Sequence, residues 1–124
     1  MASETRVRRV EEAVRAEIAA LLIKGLKDPR IGFVSVMTVR VSPDLRSANV
    51  YVSLFGTDSE KKSSLAGLRS SAGFVRKHIG RVLRLRFAPE IRFMEDTTLD
   101  EVYRLDQVFK QLHEDEGSPA DDDE

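Results

Sequence analysis

Between residues 5 and 25 apolar side chains recur at helical spacing. Val7, Val10, Val14, Ile18, Leu21 and Leu22 fall within an arc of about 120°, whereas Arg8, Arg9, Glu12 and Arg15 point away from it. The pattern predicts an amphipathic first helix, capped by Ser3 or Thr5 and ended by Gly25 and Pro29. The period then shortens. Residues 33–42 are rich in β-branched side chains and read as a strand. Val34 and Val36 share one parity, Val39 and Val41 the other, which fits either a bulge near Met37-Thr38 or burial of both faces. Ser42-Pro43-Asp44-Leu45 forms a turn. Residues 46–55 then alternate Ala48, Val50, Val52 and Leu54 with Asn49, Tyr51, Ser53 and Phe55, so a second strand pairs antiparallel with the first.

Helical spacing returns after Gly56. Thr57-Asp58-Ser59-Glu60 has the spacing of a capping box. Leu65 to Leu83 reads as two helices joined at Ser71-Ala72-Gly73, with Leu65 and Leu68 inside and Gly73 loosening the backbone at the joint. In the second helix of the pair Val75, Ile79 and Val82 share a narrow arc, flanked by Phe74 and Leu83, and Lys77, Arg81 and Arg84 lie nearly opposite. Pro89 keeps Ala88 extended. Residues 90–95 are a third strand with Ile91 and Phe93 on one face. Thr98-Leu99-Asp100-Glu101 is a second capping box, opening a last helix to about Leu112 with Val102, Leu105, Phe109 and Leu112 inward. The order helix, strand, strand, helix, helix, strand, helix predicts an α+β fold: a three-stranded sheet with helices packed on one face, plus a C-terminal helix.

With 124 residues, 41% of them hydrophobic, the chain suits one compact domain, expected over 1–113. Residues 114–124 carry seven acids and no apolar pattern, so a disordered acidic tail is expected there. A net charge of −1 hides this division. All 20 cations lie at or before Lys110 against 14 acids before residue 114, leaving +6 on the body and −7 on the tail. The absence of Cys excludes a disulfide framework and fits a reducing cytoplasm. The N-terminal residues lack the apolar run of a signal peptide, and no segment reaches the length of a membrane span.

Between Arg69 and Arg92 stand seven cations and a single acid, Glu90. A basic row of this kind contacts phosphates, so Arg76, Lys77, Arg81, Arg84 and Arg86, beside the backbone of Ser71, Ala72 and Gly73, are the leading candidates for RNA contact. The alternative is a solvated helix face. Arg6, Arg8 and Arg9 are a second basic group, either RNA-facing or paired with Glu11 and Glu12. Lys24, Lys27 and Arg30 surround a loop and could extend the surface, while Asp28 and Pro29 shape the turn. Arg40 and Arg46 read as solvated. Tyr51, Phe55 and Phe87 read as core or sheet packing rather than base stacking. His78 and His113 stand far apart without Cys and make a poor metal site. No nucleophile–base pair and no glycine-rich phosphate loop is legible, so no catalytic residue, cofactor, metal or small-molecule substrate is expected.

Several stretches together resemble the bacterial ribosome-binding factor A family. They are Lys27-Asp28-Pro29-Arg30-Ile31-Gly32, Val41-Ser42-Pro43-Asp44-Leu45, Ala48-Asn49-Val50-Tyr51-Val52, Gly73-Phe74-Val75-Arg76, Arg84-Leu85-Arg86, and Pro89-Glu90-Ile91-Arg92-Phe93 running into Asp96. The resemblance covers roughly Arg6 to Leu112. It implies a type II K-homology-like arrangement in which an A-x-G kink replaces the usual G-x-x-G loop. Here Ser71 stands at the first kink position, and a Ser hydroxyl can bond a nearby carbonyl and still support a bend. The resemblance further implies a non-enzymatic, monomeric, cytoplasmic ribosome biogenesis factor. Such a factor binds the free small ribosomal subunit, acts in late maturation of its 16S rRNA near the 5′ end, and is linked to cold adaptation. The residues alone leave two alternatives: a general single-stranded RNA-binding module, or a protein-interaction domain using an exposed sheet edge.

Overall fold

The computed structural model describes residues 3–115, with side chains at all of these except 99–104 and 113–115. Helix α1 spans Glu4–Lys24, strand β1 Val34–Val41, strand β2 Ser47–Leu54, helix α2 Asp58–Ser70, helix α3 Ala72–Val82, strand β3 Glu90–Glu95 and helix α4 Thr98–Asp115. The expected element order is observed. Ser3 is the cap of α1, its hydroxyl accepting from the Arg6 amide at 3.1 Å. The capping box of α2 is formed, with Thr57 and Glu60 each accepting from the other's amide.

The sheet order is β1-β2-β3. β1 and β2 form the antiparallel hairpin, and the register shifts between Val36 and Thr38. This bulge at Met37 settles the parity of the first strand. Val34 and Val36 point to the same side as Val39 and Val41, and Met37 is left outside. β3 lies parallel to β2, with Val50 opposite Phe93 and Ala48 opposite Ile91. A parallel neighbour requires a crossover, and α2 and α3 supply it. The core forms where these strands meet the helices. It joins Val14 and Ile18 of α1, Val50 and Val52 of β2, Leu68 of α2, Val75 and Ile79 of α3, and Phe93 of β3, all essentially buried.

Three apolar expectations are corrected. Phe74 and Val82 flank the buried arc of α3 and remain exposed, because the sheet covers only the strip holding Val75 and Ile79. On α4, Leu105, Phe109 and Leu112 do not face inward. They and Val108 are half or more exposed, and none of the helix's described side chains joins the core. Periodicity gives a helix an apolar face but does not supply a surface to cover it. Val102 lies outside the described side chains. Phe55 and Phe87 are likewise exposed: Phe55 packs edge-on against exposed Phe33 beyond the end of the hairpin. The second capping box also differs. α4 starts at Thr98 itself, whose amide donates to the Asp96 carboxylate at 2.9 Å, and Glu101 lies outside the described side chains. α4 continues to Asp115, past the expected end at Leu112, so residues 114–115 of the tail expected to be disordered over 114–124 are helical, and the rest of that tail lies outside the described residues.

Glycine is sterically required at places other than the joint. Gly73 is helical, and a Cβ built there meets nothing within 4 Å. At Gly80 a Cβ would stand 2.8 Å from the Ala88 Cβ, and at Gly67 2.8 Å from Ile31 Cγ1. These two glycines let α3 approach the segment entering β3, and α2 approach the loop after α1. Gly80→Ala is therefore expected to destabilise the fold by about 1–2 kcal/mol, overpacking outweighing the better helix propensity of Ala. Gly73→Ala is expected to be neutral or to stabilise by up to about 1 kcal/mol. Urea unfolding midpoints of the two variants test the contrast, and the opposite order would contradict the packing described.

Candidate nucleic-acid interface

The joint between α2 and α3 is built by Ser71. Its amide donates to the carbonyls of Gly67 and Leu68, and its hydroxyl donates to the Gly67 carbonyl at 3.0 Å. Its own carbonyl accepts from the Val75 amide, so one residue closes α2 and opens α3. The expected kink is present, and the Ser hydroxyl reinforces it. Ser71 and Ala72 are half-buried, while Gly73 is exposed and offers backbone without a side chain.

From this joint α3 runs with Val75 and Ile79 against the sheet, which turns Lys77 and Arg81 outward. Both are exposed, and their side chains make no hydrogen bond or ion pair with any described residue; the same holds for Arg84. Arg84 is not helical as the arc implied. Leu83 ends α3, Arg84 has a φ of 52°, and the Leu85 amide donates back to the Gly80 carbonyl at 3.2 Å. This is a Schellman-type ending with an arginine where glycine is usual, so the chain turns sharply there. Arg76 is exposed but engaged, its Nε donating to the Ala88 carbonyl at 3.1 Å. His78 is tied to Glu17 of α1 at 3.1 Å and stacks near Phe74, linking α3 to α1.

The loop after α1 reaches the same joint. Arg30 donates to Asp28 through Nε at 3.0 Å and Nη2 at 2.7 Å, and to the Ser70 hydroxyl at 2.9 Å, just before the kink. Asp28 also accepts from the Arg30 amide, which is the turn-shaping role read from the sequence. Arg30 is thus committed to holding the loop against α2 and is no free cation. Lys24 and Lys27 are exposed on either side of this loop's start. The N-terminal group pairs differently from the sequence expectation. Arg8 reaches Glu4 at 3.5 Å, Glu12 pairs with Arg15, and Glu11 accepts from the Val41 amide of β1 at 2.9 Å. Arg9 remains exposed. Arg6 faces the end of the molecule where Arg46 and Arg86 meet Phe87. Arg46 is not merely solvated. Its guanidinium sits 5.1 Å from the Phe87 ring centre, and that of Arg86 5.6 Å. Sequence reading missed this grouping because Arg46 and Phe87 are far apart in the chain and only the fold joins them.

A two-stranded hairpin, a bent helix pair as crossover and a parallel third strand define a K-homology-like α+β domain of type II order, here without a Gly-x-x-Gly clamp. The model of the ribosome-binding factor A family matches residues 6–109, and the chain belongs to that family. A ribosome-binding factor A of Geobacter metallireducens is 49% identical over 109 residues, covering 88% of this chain and 92% of that one. A solution structure of a candidate ribosome binding factor A from Thermotoga maritima is 39% identical, has a TM-score of 0.65, and covers 77% of this chain and 92% of that one. A homology model of Thermus thermophilus ribosome binding factor A, fitted into a cryo-EM map of a complex of that protein with the 30S subunit, is 25% identical. Its TM-score is 0.54, covering 73% of this chain and 91% of that one.

The Arg30 guanidinium holds the Asp28 carboxyl down at about 2, below the ordinary 3.8. A carboxyl depressed by folding stabilises the fold above its unfolded pKa and loses that contribution as pH falls through its folded pKa. Replacing Arg30→Ala should therefore raise the Asp28 titration toward the ordinary value, read by carboxyl NMR, and remove stability that in the native chain fades between about pH 4 and pH 2. An unchanged Asp28 titration would contradict the pairing.

Proposed function

We propose that this chain binds the free small ribosomal subunit and contacts its 16S rRNA through the kinked helix pair. Lys77, Arg81 and Arg84 meet phosphates, with Arg76 and Arg86 beside them, and Ser71, Ala72 and Gly73 provide the backbone of closest approach. Arg6, Arg8, Arg9, Lys24 and Lys27 extend the basic surface, and Arg30 supports it by positioning the loop. The observation that carries the reading is the outward row of Lys77 and Arg81 on α3 and Arg84 just past its end. These three cations have no partner among the described residues, and the first turn of α3 carries exposed Gly73. Membership of the ribosome-binding factor A family, and the relative fitted into a 30S complex, support the choice of partner.

The mechanism is recognition by shape and charge without covalent chemistry. A factor with higher affinity for one rRNA arrangement shifts the population toward it. Acting as a monomer in the cytoplasm, the protein would in this way promote late maturation near the 16S 5′ end. Three phosphate contacts give a salt slope of about −2 to −3, so raising salt from 50 to 200 mM should weaken binding by about 15- to 60-fold through these cations alone. Cosedimentation with purified free small subunits and with assembled ribosomes tests the reading. Wild-type protein should prefer free subunits. The triple variant Lys77→Ala, Arg81→Ala, Arg84→Ala should stay folded, bind more weakly and show a salt slope smaller by about 2 to 3. Equal binding to both particles, or a triple variant that binds like wild type, would contradict it.

A further inference from the structure

At the C-terminal end of α3, opposite the kink, lies a basin of about 380 Å³ lined by Arg6, Asp44, Leu45, Arg46, Leu85, Arg86 and Phe87. Its residues come from α1, from the β1–β2 turn and from the segment between α3 and β3. Leu45 and Leu85 are half-buried against the core and form a fixed floor. Phe87 is 56% exposed, and two guanidinium groups stand over its ring. The one acid, Asp44, is occupied: it accepts from the Ser42 hydroxyl at 2.6 Å and from the Arg46 amide at 3.0 Å, which holds its carboxyl below the ordinary value. Three arginines and one carboxylate leave the basin positive.

The backbone adds an independent observation. Among the described residues the two non-glycine positions with positive φ are Leu45, at 62°, and Arg84, at 52°. Each sits immediately before a basin segment, Arg46 in one case and Leu85-Arg86-Phe87 in the other. Left-handed backbone at residues with a Cβ costs about 1–3 kcal/mol and persists where the surroundings enforce it, often at ligand sites. Here both strained turns deliver a cation to the same aromatic ring.

We infer that this basin is a nucleotide-binding subsite for single-stranded RNA, in which a base stacks on Phe87 and Arg6, Arg46 and Arg86 hold the flanking phosphates. The inference rests on the RNA-binding reading above and adds to it a base-stacking site at the far end of α3 from the kink. An aromatic face tolerates any base, so the subsite would read an unpaired nucleotide rather than its identity.

The test is titration of full-length protein with a short single-stranded oligoribonucleotide and with an abasic oligomer of the same phosphate count, following the Phe87 ring protons by NMR. The base-bearing oligomer should shift the ring resonances, and the abasic one should bind about tenfold or more weakly with little ring shift. Phe87→Leu, which keeps an apolar side chain at an exposed position, should show wild-type unfolding and lose the same factor for the base-bearing oligomer alone. Equal binding of both oligomers, or ring resonances that ignore the RNA, would overturn the proposal. Cosedimentation of wild-type protein reports separately on the function proposed above. Protein that sediments with free small subunits while its Phe87 ring ignores the oligomer would sink this subsite and leave that reading standing.

Discussion

Burial of Val75 and Ile79 beside β3 fixes the rotation of α3 about its axis, and most of the candidate surface follows from that. With these two side chains fully buried, Lys77 and Arg81 have no direction left but outward. The rotation is held from several sides. Gly80 leaves no room for a Cβ beside Ala88, Arg76 grips the Ala88 carbonyl, and His78 reaches Glu17 on α1. A helix held so firmly presents its charges at fixed positions, so little side-chain and backbone ordering remains to be imposed when a ligand arrives.

The arginines divide into two kinds. Arg30 and Arg76 are structural cations, bonded to Asp28 and Ser70 or to a carbonyl, and they fasten one end of a segment to its neighbour. Lys77, Arg81 and Arg84 have no such employment among the described residues, and Arg46 and Arg86 rest on an aromatic ring. The segment between Arg69 and Arg92 therefore owes its basic character partly to packing and partly to a surface held ready. The sharp turn at Arg84 joins the two parts, since it ends the row on α3 and begins the segment that carries Phe87.

Much of the fold was legible from residue pattern. The parity break between Val36 and Val39 left a bulge near Met37 or burial of both faces, and the bulge is what forms; Thr57 and Glu60 pointed to a capped helix, and Ser71 to a bend its hydroxyl could reinforce. These features are local, so a few neighbouring residues determine them. What the pattern could not give was tertiary coverage. The stripe on α4 looked like a core face, yet Leu105, Phe109 and Leu112 are exposed, because amphipathicity describes a helix and not its neighbours. Phe74 and Val82 sit just outside the strip the sheet covers. Gly73 looked like the hinge, whereas the close approaches that need glycine are at Gly67 and Gly80, set by Ile31 of the loop after α1 and by Ala88 of the segment entering β3. On the candidate surface the cations were visible in sequence, but their division into engaged and outward-facing was not, because partners such as Ser70 for Arg30 and Phe87 for Arg46 are brought together only by the fold.

The central claim is that the side of the molecule carrying the kink and α3, rather than the side of the sheet that bears Ser35 and Met37, meets the small-subunit RNA. The chain has no cysteine, so single cysteines can carry a photo-crosslinker to chosen positions. Gly73→Cys places it in open space at the kink, and Ser35→Cys places it on the exposed outer side of β1. Irradiated with purified free small subunits, the probe at 73 should join 16S rRNA and the probe at 35 should not. Crosslinks of equal yield from both positions, or from position 35 alone, would contradict the account.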